Sequence, residues 1–458
     1  MSIKIPNILL ITIDCLRADR LGCLGYPKKI TPNIDYLANG GALFTQAISV
    51  GSWTATSFMS LFTSTYPFMY DGKLYITNSR NTLAQVLKQH GYHTAGFHSN
   101  PLMASYNGYH SGFDVFDDSM QKEGRKNLLN ELKKLVKHVI GTKGKLYDLV
   151  AKPYLAVAGN PYPSAENLNS KAVRWLSSKR GQFFLWLHYM DCHAPYLLPS
   201  KFLSPLERYR ILKLHGKAHK SPGSLSPKEL NKLIALYDAK VSYVDETLGY
   251  FLHTLEGMNI LDDTMVMITA DHGEQFTEHG KTGHGANLYD ELVHVPLIIA
   301  GPRRESRIIS QQVSLLDLAP TILDLVGIKK PKTFLGRSLL PLIAGEAKHG
   351  NSIAISEDAE VASGFTGIRP RLDCDKGRKI SIRTGKYKYV YNDNYSDELY
   401  DLENDPMETQ NIIDVKTDVA TGLRTEVMAH IEFEAETRPG GGEILRKKVI
   451  KLKASGKI

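Results

Sequence analysis

The chain has 458 residues, a formal net charge of +8, and 42% hydrophobic and 23% charged residues. These proportions exclude a disordered or collagen-like protein and allow a large core without covalent staples. Four cysteines are too few and too scattered for a disulfide framework, no run of ~18 apolar residues could span a bilayer, and no cleavable leader is recognisable; the expectation is a soluble cytoplasmic protein.

Ile8–Asp14 reads as a buried parallel strand that ends in a carboxylate. Thr31-Pro32-Asn33 opens a helical run that stops at Gly40-Gly41. Thr82–His90 is a second helical pattern, closed by Gly91, and Thr94–Phe97 is the strand after it. Region 110–180 reads as a basic, mostly helical insertion, bounded at about 115–175. Within it Leu128, Leu132, Leu135, Val136, Val139 and Ile140 line one helical face, with Lys133, Lys134 and Lys137 off it. That helix either packs on the core with a solvated basic face or lies against anionic lipid or an acidic substrate. Nucleic acid is not expected, because no aromatic-interleaved basic patch accompanies it.

Phe183–Tyr189 and Met265–Ala270 are continuous apolar strands, followed at once by Asp191 and His193 and by Asp271 and His272. Residues 201–230, rich in Lys, Pro and Ser, read as a loop excursion beside the site. Past about 350 come short strands at Lys379–Thr384 and Tyr387–Tyr391 and a helix near 416–434. Basic residues outnumber acids eight to two at 122–145 and six to one at both 201–220 and 443–458, so the rest of the chain is net acidic. The expected organisation is a catalytic α/β unit over 1–350, a small-sheet α+β subdomain over 351–440 and a basic tail over 441–458. Strands alternating with helices, with reactive residues just past strand C-termini, place the site on one edge of an open sheet.

Asp14, Asp271 and His272 offer hard oxygens and one imidazole at strand ends. That donor set suits one divalent ion, with Mn²⁺ or Zn²⁺ favoured by the imidazole and Ca²⁺ or Mg²⁺ open. Singly, each carboxylate reads more readily as a helix cap or loop residue than as a ligand.

The strings PNILLITIDCLRADRLGCLGY from Pro6, GSWTATSFMSLFTSTYP from Gly51, FFLWLHYMDCHAPY from Phe183 and ITADHGEQFTEHGKTGHGANLYDELVHVPLIIAGP from Ile268 stand in a telling order. With KYKYVYNDNYSDELYDLENDPMETQNI closing the series, they resemble the sulfatase branch of the alkaline phosphatase superfamily from residue 6 to about 413. The resemblance implies an alkaline-phosphatase-like, mostly parallel central sheet flanked by helices, and a small C-terminal domain with a four-stranded sheet. It also implies a divalent ion on Asp14, Asp271 and His272, and a nucleophile in the block before Thr63-Ser64-Thr65-Tyr66-Pro67.

The sulfatase signature C/S-x-P-x-R, whose first residue becomes formylglycine, is not kept. Counting back from Tyr66-Pro67 puts Thr54 at the nucleophile position, Thr56 at the proline and Phe58 at the arginine. Cys374-Asp375-Lys376-Gly377-Arg378 has only the outline of the motif, and lies in the C-terminal part. A formylglycine hydrate expels sulfate through its second hydroxyl, whereas a threonine ester must be cleaved by an external acceptor, a route suited to phosphoryl esters. Thr54, also a metal neighbour through its oxygen, is therefore the expected nucleophile, against the alternative of a helix cap with Ser57.

His284, where sulfatases carry a lysine, is expected to bind a non-bridging oxygen or protonate the leaving group, and His193 matches a histidine aimed at the leaving group. His188 reads as a core histidine and Asp191 as a group orienting His193 or standing behind the site. Arg17 is either an oxyanion clamp or the partner of Asp19, and Asn100 is a polar substrate contact. Cys15 reads as a small buried side chain or a zinc-joining thiol, and Glu274 and His279 as solvated loop residues. The expected activity is metal-dependent hydrolysis of phosphate mono- or diesters on small-molecule, glycan-linked or lipid-linked anionic substrates. The alternatives are transfer of a phospho-substituent to a lipid or glycan, with peripheral contact to anionic membrane, and sulfuric ester hydrolysis.

Overall fold

The computed structural model describes residues 6–119, 152–158, 160, 162–178, 181–199, 201–285, 287–302, 305–347, 350, 352–359, 361–363, 368–373 and 377–437. The basic helical pattern at 128–140, Cys374 and the tail 441–458 lie outside the described residues.

The central strands are β1 (Asn7–Ile13), β2 (Ala42–Ile48), β3 (His93–Phe97), β4 (Val115–Asp117), β5 (Phe183–Tyr189) and β6 (Thr264–Ala270). A hairpin of β7 (Gln275–Phe276) and β8 (Thr282–Gly283) follows, and β9 (His294–Ala300), β10 (Arg307–Ile309) and β11 (Val313–Ser314) complete the sheet. Its order is β10-β2-β9-β6-β1-β5-β3-β4, with β11 also on β2. Neighbours pair in parallel from β6 through β4, and only β9 runs against them. The C-terminal ends of β2, β6, β1, β5 and β3 therefore share one edge.

β1 shows why the run Asn7–Ile13 forms a central strand. Leu9, Ile11 and Ile13 point into one core layer, Ile8 and Leu10 into the other, and all are buried. A strand covered on both faces is a near-continuous apolar run in which each buried apolar side chain contributes about 1.5–3 kcal/mol, and its one buried polar group, the Thr12 hydroxyl, is satisfied by Leu187 O at 3.2 Å.

Two expectations about insertions are corrected. β4 lies inside 115–175 yet is the edge strand of the sheet, and helix Ala165–Ser177 packs Ala165, Leu168, Ala172 and Trp175 into the main core. Segment 201–230 is no loop excursion: it holds helix Pro205–Lys220 and the first turn of Pro227–Gly257. Its serines and prolines are start signals. Ser204 and Glu207, and again Ser226 and Glu229, form reciprocal capping boxes with proline in the first turn.

After a two-stranded ribbon of β13 (Val361–Ser363) and β14 (Arg371–Leu372), β15 (Lys379–Arg383), β16 (Tyr387–Asn392) and β17 (Glu398–Asp401) join β12 (Ala354–Asp358). The four form an antiparallel sheet in the order β12-β15-β16-β17, and helix Thr417–Thr437 packs on it through Ala420 and Val427. Among the described residues no helix is long and apolar enough to cross a membrane.

Hydrogen bonds at two places in particular tie this second sheet to the first. The β12 strand grips the segment that follows β2: Glu357 N donates to Val50 O at 2.7 Å, Ser356 Oγ to Ser49 O at 2.6 Å, and Ser52 Oγ and Trp53 Nε1 donate to the Asp358 carboxylate. Asp290, just beyond the β7–β8 hairpin, accepts from Arg383 of β15 at 2.9 Å and from Lys388 of β16 at 2.9 Å. Burial pushes the Asp290 carboxyl up, but Lys388 and Arg383 outweigh it and hold the group far below the carboxylate range. Asp290→Ala is expected to cost about 3–5 kcal/mol in urea unfolding, because it takes the carboxylate partner from the buried Arg383 and leaves Lys388 with Glu408 alone. The contribution of this pair is complete above the unfolded carboxyl pKa of about 3.9 and fades only as pH falls through the depressed folded value. An unchanged urea midpoint for the variant at neutral pH would refute the assignment.

Candidate active site

Five strand ends deliver the site. Asp14 follows β1, Asp271 and His272 follow β6, His193 lies four residues past β5, Asn100 three past β3, and the segment after β2 leads into helix Thr54–Thr63. Asp14, Asp271, His272 and Thr54 are all buried. Ligand atoms of Asp14, Asp271 and His272 lie within 4.8 Å of one another.

Hydrogen bonding fixes how these groups face. His272 Nδ1 contacts Gly273 O at 2.8 Å. A carbonyl only accepts, so Nδ1 carries the proton and Nε2 presents a lone pair. That lone pair faces Asp271 Oδ2 at 3.4 Å, Asp14 Oδ1 at 3.8 Å and Thr54 Oγ1 at 3.5 Å. Asp271 Oδ1 accepts from His272 N at 3.0 Å and Cys15 N at 3.3 Å, while its buried Oδ2 has no hydrogen-bond partner. Asp14 Oδ2 accepts from His188 Nε2 at 3.2 Å and Asn100 Nδ2 at 3.0 Å.

The charges tell the same story. Burial, reinforced by Asp14, pushes the Asp271 carboxyl up to about 8. Burial alone would raise Asp14 too, but its bond from His188 and the charges of His193, His188 and His272 hold it well below the usual range. Burial pulls His272 down to about 4. Two carboxylates and a neutral imidazole lone pair, dry and mutually repulsive, are a set that a divalent cation satisfies. The donor chemistry fits the ion the strand ends imply, held by Asp14, Asp271 and His272.

Thr54 is the first residue of its helix, and Trp53 before it makes no side-chain cap. The hydroxyl does not cap the helix either: Thr54 Oγ1 accepts from Asn100 Nδ2 at 3.3 Å and faces His272. The helix start is held instead by Thr56 Oγ1 on Trp53 O at 2.9 Å and Ser57 Oγ on Gly51 O at 3.0 Å. Phe58, at the place of the signature arginine, is a core ring set edge-on to His188 at 4.8 Å and tilted on Trp186 at 5.5 Å.

His284 and His193 meet ring to ring at 5.0 Å, and His284 lies 4.4 Å from His272. His193 Nδ1 donates to Ala194 O at 2.7 Å, leaving Nε2 as a lone pair, and burial pulls this histidine down. His284 Nδ1 pairs with Glu274 Oε1 at 3.1 Å. Burial pulls His284 down, but Glu274 overrides it and lifts the imidazole to about 9. The two histidines thus differ in proton load, one a lone pair and one an imidazolium.

Several expectations change. Arg17 is no oxyanion clamp: its guanidinium is buried on Asp19 at 2.8 Å, Glu278 at 2.5 Å and Glu274 O at 2.8 Å. Asp191 does not orient His193; it pairs with Lys240 at 3.1 Å and accepts from Ala165 N at 2.8 Å. Both His188 nitrogens are engaged, through Thr12 Oγ1 and Asp14. His279 is held between Glu291 and Glu408 O and stacks on Tyr289. Glu274 is the residue sequence reading missed. It is fully buried, with Tyr196 Oη donating to its second oxygen at 3.0 Å. Its signal was there: it stands two residues after His272, in the same strand-end loop.

The sulfatase family model matches residues 6–328, and the model of the N-sulphoglucosamine sulphohydrolase C-terminal region matches 278–432. The sulfatase YidJ of Escherichia coli (strain K12) is 28% identical over 440 residues, covering 90% of this chain and 84% of that one. Arylsulfatase K of Homo sapiens is 24% identical over 436 residues, covering 89% and 79%. The crystal structure of the phosphonate monoester hydrolase of Agrobacterium radiobacter superposes with a TM-score of 0.71 at 22% identity, covering 94% of this chain and 96% of that one.

Proposed function

Given that the chain belongs to the sulfatase family, within the alkaline phosphatase-like superfamily of hydrolases, we propose that it cleaves phosphate mono- or diesters through Thr54. The observation that carries this reading is an unoxidisable hydroxyl at the head of helix Thr54–Thr63, between Asn100 and His272, with a core phenylalanine in place of the signature arginine.

Thr54 Oγ1 attacks phosphorus, the new O–P bond forms as the bond to the leaving oxygen breaks, and a phosphothreonine results. His284, kept protonated by Glu274, supplies the proton to the leaving oxygen. The Nε2 lone pair of His193 takes the threonine proton in the first step and returns it to Thr54 Oγ1 when water cleaves the phosphothreonine, while His284, left neutral by the first step, takes the proton of that water. Asn100 holds both the Asp14 carboxylate and the Thr54 oxygen, so the nucleophile is oriented before substrate arrives. The divalent ion on Asp14, Asp271 and His272 would acidify the hydroxyl and neutralise the charge on the transferring group.

A second reading, sulfuric ester hydrolysis by the same threonine, is supported by the names of the relatives, YidJ and arylsulfatase K being sulfatases. Paired kinetics on 4-nitrophenyl phosphate, bis-4-nitrophenyl phosphate and 4-nitrophenyl sulfate, with Mn²⁺ or Zn²⁺ added, separate the two. The expected result is a phosphoester kcat/KM at least about tenfold above that for sulfate, a barrier difference of about 1.4 kcal/mol. Turnover of the sulfate alone would overturn the phosphoester reading.

A further inference from the structure

We propose that the Cys15 sulfur is itself a ligand of the metal centre, which then takes a borderline-soft ion of the zinc class in preference to calcium or magnesium. This rests on reading the strand ends as a metal centre and adds to it a donor that the three-residue set lacks.

Cys15 follows Asp14 directly and is fully buried in the left-handed backbone region, at φ 60°. Both of its backbone groups are pinned, N to Asp271 Oδ1 at 3.3 Å and O by Tyr237 Oη at 2.7 Å, so the direction of its side chain is set by the fold. A cysteine serving only as a small apolar filler has apolar neighbours, as Cys192 has within the main core. Among the described residues Cys15 belongs to none of the apolar clusters. Sγ lies 3.0 Å from Asp14 Oδ1 and 3.5 Å from His284 Nδ1. Its sulfur groups with ligand atoms of Asp14 and His193, and separately with those of His272 and His284, all within 4.8 Å in each set.

A second observation points to a ligand in the same place. Asp271 Oδ2 is buried without a hydrogen-bond partner and faces the His272 Nε2 lone pair at 3.4 Å. The sulfur, whose S–H points at Asp14 Oδ1, thus lies within 4.8 Å of ligand atoms of Asp14 and of His272, two of the three residues that would hold the ion. Oxygen-only sites suit calcium and magnesium, whereas imidazole and thiolate together select zinc-class ions. On binding, the S–H bond breaks and the sulfur–metal bond forms; the proton passes to solvent and no oxidation state changes.

The test uses the full chain, stripped of metal and loaded with one equivalent of Co²⁺. Wild-type protein is expected to show both the visible d–d bands of a bound ion and a near-ultraviolet sulfur-to-cobalt charge-transfer band. Cys15→Ser is expected to keep the visible bands, lose the near-ultraviolet band and bind Zn²⁺ about tenfold or more weakly, with Mg²⁺ affinity unchanged. Visible bands without the charge-transfer band in wild type would overturn the thiolate while leaving the metal centre standing. The charge-transfer band surviving in Cys15→Ser would assign it to another cysteine and also overturn the proposal. No Co²⁺ spectrum at all would remove the centre, and with it the reading of the strand ends. The wild-type spectrum decides the matter even if the serine variant fails to fold.

Discussion

Thr54→Ala is expected to lower aryl phosphate turnover by on the order of 10⁴- to 10⁶-fold, with metal content unchanged. The residue lies first in its helix and caps nothing, and the helix start is held by Thr56 and Ser57, so its loss removes chemistry and little structure. Thr54→Ser should retain measurable turnover, because it restores an oxygen within reach of Asn100 and His272. Steady-state kinetics on both variants, with a stopped-flow search for a burst in wild type, reads the effect on kcat. Alanine turning over at the wild-type rate would mean that water attacks the substrate directly and that Thr54 only lines the site.

Asp271→Asn should do two opposite things. Activity is expected to fall by about 10³-fold or more, since a charged donor is lost from the centre. The metal-free protein, in contrast, should become more stable, by on the order of 1–3 kcal/mol. In the metal-free fold burial and the Asp14 carboxylate push the Asp271 carboxyl up to about 8, so at neutral pH folding must take up a proton there that the unfolded chain, with a carboxyl pKa of about 3.9, does not bind. An amide keeps the acceptor that Cys15 N and His272 N use, and turns an N–H toward His272 Nε2 in place of the orphaned oxygen. Thermal melts in chelator, wild type against variant, check the sign. A lower melting temperature for the variant would show that this carboxylate is already satisfied without a cation, and the case for the centre would fall with it.

Much of this site was legible because strand ends announce themselves. β1, β5 and β6 are predominantly apolar runs, so the first carboxylate or histidine after each marks where the sheet stops, and the sheet then gathers those residues. Glu274 was legible only as a neighbour of His272, not as a buried partner of the site. Its loop is rich in Gly, His and Thr, and its burial depends on Tyr196, which comes from a distant stretch of chain. Arg17 shows the same limit from the other side: charge pairing with Asp19 and capture of an anion leave one pattern in sequence, and only the arrival of Glu278 decides between them. At 201–230, local composition misled because Pro and Ser open helices as readily as they make loops, and Glu207 and Glu229 three residues on were the discriminating signal.

The grip of β12 on the segment between β2 and helix Thr54–Thr63 has a consequence for biosynthesis. Val50 and Ser49 give their carbonyls, and Ser52 and Trp53 their donors, to residues 356–358, roughly three hundred positions further along the chain. A nascent chain that has released the whole central sheet from the ribosome still lacks the strand that seats Thr54. Competence therefore arrives late in translation, and a prematurely terminated product would carry the acidic strand ends without a correctly held nucleophile.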